Sequence, residues 1–158
     1  MERFTIKNGA KFKVDLSSAI KKIEPFYGLV SLEKYPVNII IQEKKNDLDR
    51  SYFDNATNIM NLRFSADQSV NDRDWVFVHE YAHFLANNNK ELKKATEVYE
   101  NVALHEILKR VFKLQQNDVT EIFHDFFPAE VFANSFATII LGKYFKRHPF
   151  SKAAQQLK

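Results

Sequence analysis

The chain has 158 residues, 45% of them hydrophobic, with a net charge of +3 and no cysteine. That length suits one domain with a real core, and the missing thiols exclude both a disulfide framework and a thiolate-held zinc ribbon. Only three glycines and four prolines leave little room for linkers, and no apolar run approaches the roughly 20 residues a membrane-crossing helix needs. Met1-Glu2-Arg3-Phe4-Thr5-Ile6-Lys7 lacks the basic-then-apolar layout of a secretory leader, so a cytoplasmic or otherwise soluble chain is expected. Leu16, Ala19, Ile20 and Ile23 then space a short amphipathic helix within 15–24, ended before Pro25 and Gly28. Val37-Asn38-Ile39-Ile40-Ile41 reads as a strand. Tyr52-Phe53-Asp54 and 58–64 read as a hairpin around Asn55-Ala56-Thr57.

Next comes His79-Glu80-Tyr81-Ala82-His83. Positions i and i+4 of a helix share one face, so both imidazoles can reach one metal ion from the same side. Glu80, rotated by about 100°, is left free to serve as general base for a water; two ligands and a base in five residues form the H-E-x-x-H pattern of zinc peptidases. Asn71-Asp72-Arg73-Asp74 supplies a helix start, Trp75, Val78, Ala82 and Leu85 an apolar stripe, and Asn87-Asn88-Asn89 a stop. One helix over 73–87 follows.

A zinc site needs a third ligand. The longer motif with glycine and then histidine after the second ligand is excluded, because Ala86 and Asn89 occupy those places. A glutamate on a later helix remains. Glu91 follows His83 too soon to fold back from a separate helix. Glu97, Glu100 and Glu106 lie on an amphipathic helix expected over 91–115, as solvated-face residues; Glu121, His105, His124 and Asp125 are weaker candidates. Glu130 follows Pro128 at a helix start and has Phe132, Ala133, Phe136 and Ala137 around it, with periodicity running through Ile140 and Tyr144. A carboxylate beside a buried face needs a cation or hydrogen bonds. Glu130 is therefore the expected third ligand, and Asn134, one turn on, the expected hydrogen-bond partner for a ligating imidazole.

These two stretches, His79-Glu80-x-x-His83 and Glu130-Val131-Phe132-Ala133-Asn134-Ser135-Phe136, resemble the gluzincin metallopeptidases. Within them the chain is most similar to the catalytic domain of anthrax lethal factor and the Pro-Pro endopeptidases, with some likeness to ImmA/IrrE-type peptidases. The likeness covers about 50–145. It implies an α+β, compact zincin-like (minigluzincin) domain spanning 1–158, with a helix-and-sheet part over about 1–70 and a metal-binding helical part over about 71–146. It also implies Zn²⁺ on His79, His83 and Glu130, with Glu80 as general base and acid, and an edge strand before the metal helix that pairs with extended substrate. One departure stands out. The lethal-factor group has an oxyanion-stabilising tyrosine shortly before the ligand glutamate; this chain has Phe123 there, with His124 as the nearest polar replacement and Tyr99 and Tyr144 as more distant ones.

The expected function is a zinc-dependent endopeptidase acting on a protein or peptide, as a monomer, without membrane or nucleic-acid partners. The alternative is a zinc-binding interaction module with impaired catalysis. A metal-free structural or nucleic-acid-associated domain is the remaining reading. The basic residues Lys143, Lys146, Arg147 and Lys152 read as a solvated tail, since no aromatic-basic module accompanies them.

Overall fold

Val37, Ile39 and Ile41 alternate with Asn38, Ile40 and Gln42, which places one apolar row on one face of an extended segment. In the computed structural model, which describes residues 2–97 and 128–142, that row is fully buried. Its strand is β2 (Val37–Glu43), flanked in sequence by β1 (Phe4–Asn8), β3 (Tyr52–Asp54) and β4 (Ile59–Phe64). Met60, Leu62 and Phe64 repeat the alternation on β4 and are equally buried. The sheet order is β1-β2-β4-β3. β1 and β4 run parallel to β2, and β3 runs antiparallel to β4.

The expected hairpin forms, but its second arm is not the sheet edge. β4 lies inside, because its apolar row continues that of β2, pairing Ile39 with Met60 and Ile41 with Leu62. β3, with three residues and none fully buried, takes the edge next to the helix that follows. β1 was not expected at all. Four of its five residues are exposed, so it carries no buried alternation. It is held from outside its own sequence. Phe4 packs edge-on against Phe77 and Tyr81 at 5.5 and 5.7 Å between ring centroids. The Arg3 guanidinium lies over the Tyr27 and Tyr35 rings at 5.1 and 4.8 Å. Gly9 ends the strand where a Cβ would meet the Ile41 carbonyl oxygen at 3.1 Å.

α1 (Ser17–Ile23) stops before Pro25 as expected, and a 3₁₀ turn over Glu24–Leu29 continues the chain. α2 (Val70–Asn88) starts earlier than the acidic cluster suggested. Its N-cap is Ser69, whose hydroxyl accepts from the Asp72 amide at 3.1 Å. Ser69→Ala is expected to cost about 1 kcal/mol of folding stability, read from urea denaturation; an unchanged midpoint would remove the cap from the account. At Asn89 the backbone becomes extended (φ −121°, ψ 121°). The Asn89 side chain accepts from the Leu92 amide at 3.0 Å, opening α3 (Lys90–Glu97). The rest of the helix expected over 91–115 lies outside the described residues. α4 (Pro128–Leu141) begins at its proline, as the sequence suggested, and closes at Gly142 with φ +60°, a left-handed turn that suits glycine.

The described chain is thus a mixed α/β structure with a small four-stranded sheet, consistent with the α+β class. α2 rests on the sheet through Phe84, whose ring meets Phe53 of β3 at 5.6 Å and Tyr35 at 5.3 Å. α4 lies along α2, with Phe136 set against Tyr81 and against Phe26 beyond α1. The Tyr35 and Tyr81 hydroxyls share a buried hydrogen bond of 2.7 Å. Burial pushes both phenols above the ordinary tyrosine range. Among the described residues no helix is long and apolar enough to cross a membrane.

Candidate metal centre

Tyr81 fixes the rotation of α2. Its ring is fully buried between Phe4, Phe84 and Phe136, so the helix must turn its 79/83 stripe away from the core. That stripe faces the first turn of α4, where Glu130 stands. The His79 and His83 Nε2 atoms lie 3.2 Å apart. His79 Nε2 is 3.3 Å from Glu130 Oε2, and His83 Nε2 is 3.1 Å from Glu130 Oε1. Ligands held at about 2.0–2.1 Å in a tetrahedral shell stand about 3.3 Å from one another. Each imidazole nitrogen therefore stands about that far from the other and from one oxygen of the Glu130 carboxylate, and one donor atom from each residue lies within 4.8 Å of the other two. His79, His83 and Glu130 can hold a metal ion, and among the described residues they are the one such group. Two imidazole nitrogens turned on each other and on a carboxylate also make a poor apolar core, so the donor chemistry agrees with the spacing.

Glu130 differs from expectation in its setting. Phe132, Ala133, Phe136 and Ala137 are buried, yet the Glu130 side chain is 51% exposed. At the start of a helix it projects past the packed face rather than into it. Hydrogen bonds from His79 and then His83, with their charges, hold its carboxyl well below the usual range, against a smaller opposing effect of burial. Burial pulls the His83 imidazole down, but the Glu130 hydrogen bond and the charges of Glu130 and Glu80 together outweigh it and leave the ring raised.

Glu80 is 6% exposed, and its Oε1 lies 3.9 Å from His79 Nε2. Burial raises its carboxyl above the ordinary value; the neighbouring histidines and a backbone hydrogen bond from Phe53 of β3 oppose that shift. It is close to the three donors without being one of them. The Phe53 contact carried no signal in the sequence, because it joins an edge strand to a helix across the fold.

These shifts give the metal-free protein a pH dependence. Glu130, lowered from 4.5, contributes stability above that value and loses it as pH falls. His83, raised from 6.5, contributes fully below that value and loses it as pH climbs through its folded pKa. Glu80, raised from 4.5, likewise favours the acid side. The metal-free melting temperature is expected to peak between about pH 4.5 and 6.5 and to decline towards pH 8. A melting temperature that climbs steadily from pH 5 to 8 would contradict these assignments.

Asn134 is buried on α4, but no hydrogen bond from it reaches His79 Nδ1, which is buried and has no partner among the described residues. Trp75, expected in the core stripe with Val78, Ala82 and Leu85, is instead half-buried and stacked on His79. Glu91 is exposed on α3 and outside the donor group. The Glu97 side chain, Tyr99, Glu100, His105, Glu106, Glu121, Phe123, His124, Asp125 and Tyr144 lie outside the described residues. Comparisons with protein-family models, curated proteins and solved structures return no match.

Proposed function

We propose that this chain is a zinc-dependent metalloendopeptidase of zincin-like (minigluzincin) fold, with His79, His83 and Glu130 as zinc ligands and Glu80 as general base. The cluster of His79, His83 and Glu130 beside a buried glutamate that is not one of its donors carries this reading. Zinc fits the donor set, since two imidazoles and one carboxylate with an open position are a common catalytic arrangement for it. When bound, zinc acts as a Lewis acid that polarises a carbonyl and makes water a nucleophile near neutral pH.

The protein's own groups do the rest. Glu80 accepts a proton from the attacking water and returns it to the leaving amine, breaking the peptide C–N bond. Its raised carboxyl suits that exchange, because a base works best when its pKa approaches the operating pH. Among the described residues β3 pairs on one side only, and it adjoins Glu80 through Phe53, so an extended peptide pairing on its other side would lie beside the base. The substrate is accordingly a protein or peptide segment in extended form.

A catalytically impaired zinc-binding module is the second reading, favoured by Phe123 where the resembling peptidases carry tyrosine. Metal analysis by mass spectrometry together with cleavage of a peptide library decides between them. Stoichiometric zinc with chelator-sensitive cleavage supports the peptidase. Stoichiometric zinc without cleavage supports the binding module, and no zinc after supplementation removes both.

A further inference from the structure

A metal-ligating histidine normally donates its second ring N–H to a carboxylate, carbonyl or water, which fixes both tautomer and ring plane. His79 departs from that pattern. When Nε2 ligates an ion, the neutral ring carries its proton on Nδ1, and that atom is buried with no hydrogen-bond partner among the described residues. At that end of the imidazole, no polar group among the described residues fixes the ring plane.

An aromatic ring does so instead. Trp75, one turn before His79 on α2, lies nearly parallel to the imidazole, with centroids 5.2 Å apart and planes inclined by 26°. His83 meets the other end of the stripe edge-on, 4.9 Å from His79 at 78°. Trp75, His79 and His83 recur every fourth residue, so one helical face carries a shelf, a ligand and a second ligand in line. A ring held flat against the indole keeps its Nε2 at the 3.2 Å separation from His83 that a shared ion needs.

We propose that Trp75 is the positioning residue for His79, supplying by ring stacking the orientation that a hydrogen bond at Nδ1 supplies elsewhere. The inference rests on the reading of His79, His83 and Glu130 as metal ligands. Core filling alone does not explain the geometry, since Val78, Ala82 and Leu85 complete the buried stripe while Trp75 keeps part of its surface in solvent.

Zinc affinity of the full chain, measured by chelator competition for wild type, Trp75→Phe and Trp75→Leu, tests it. Trp75→Leu, which keeps apolar bulk and removes the ring, is expected to weaken zinc by about 10–100-fold, the usual effect of losing a ligand's orienting partner. Trp75→Phe is expected to restore most of that loss. Equal affinity of a folded Trp75→Leu protein and wild type would overturn the proposal, as would equal weakening in both variants. Should Trp75→Leu fail to fold, wild-type fluorescence decides, because Trp75 is the only tryptophan in the chain. Its emission is expected to change in step with zinc uptake and to stop at stoichiometric metal. Uptake seen by mass spectrometry with no change in emission would overturn the stacking role and leave the metal centre standing. No uptake in wild type would remove the metal centre itself.

Discussion

In the Glu80→Gln protein, peptide cleavage is expected to fall by about 10²–10⁴-fold, the usual worth of a positioned general base, while zinc content stays at the wild-type level. The two halves of this expectation have separate causes. Glu80 is not one of the three donors, so the amide leaves the ligand set whole. The side chain is 7% exposed and takes a backbone hydrogen bond from Phe53, which a glutamine oxygen can still accept. What the amide cannot do is carry a proton from water to the leaving amine. Glu80→Gln with wild-type cleavage, assayed beside a metal analysis of the same sample, would sink the assigned base. Loss of zinc along with cleavage would instead make Glu80 part of the metal centre.

Glu130→Ala acts on the ion rather than the chemistry. Removing one of three protein donors is expected to weaken zinc by more than the roughly 100-fold upper effect of losing an outer hydrogen-bond partner. Dialysed Glu130→Ala protein should therefore come out essentially free of metal and inactive. Folding should survive, because the Glu130 side chain is 51% exposed and, among the described residues, its ion pairs are with the two histidines. Circular dichroism and mass spectrometry on one preparation check both points. Stoichiometric zinc in a folded Glu130→Ala protein would move the third ligand elsewhere. Glu130→Gln adds a charge control: it should flatten the acid limb of the metal-free stability profile, since that limb comes from the lowered Glu130 carboxyl.

Much of this architecture is legible from local pattern. The strand read over 37–41 and the hairpin arms read over 52–54 and 58–64 coincide with β2, β3 and β4 to within two residues, because apolar extended segments leave a direct trace wherever one face is buried. Helical spacing marked α1, α2 and the start of α4 for the same reason at period 3.6. The grouping of His79, His83 and Glu130, which could hold a metal ion, was legible too, two by spacing on one turn and the third by its place at a helix start beside an apolar run.

Contacts between elements left no such trace. β1 has no buried alternation and is anchored by Phe77 and Tyr81, far along the chain, so local period could not reveal it. Which hairpin arm became the edge depended on β4 matching β2, a pairing of two distant strands. Glu130 was expected among buried side chains because its neighbours are apolar. Only the packing of α4 on α2 decided that its carboxylate would project past that face towards the histidines. Asn134 was expected to brace a ligating imidazole from its position one turn on; at His79 no bond from it reaches Nδ1, and the indole of Trp75 lies against that ring. Residue types at fixed spacing on one helix state which groups can meet, since the helix is rigid over a turn. Where separate elements bring a carboxylate, an edge-strand amide or a ring plane is set by the whole core, and that core exists only once the chain has folded.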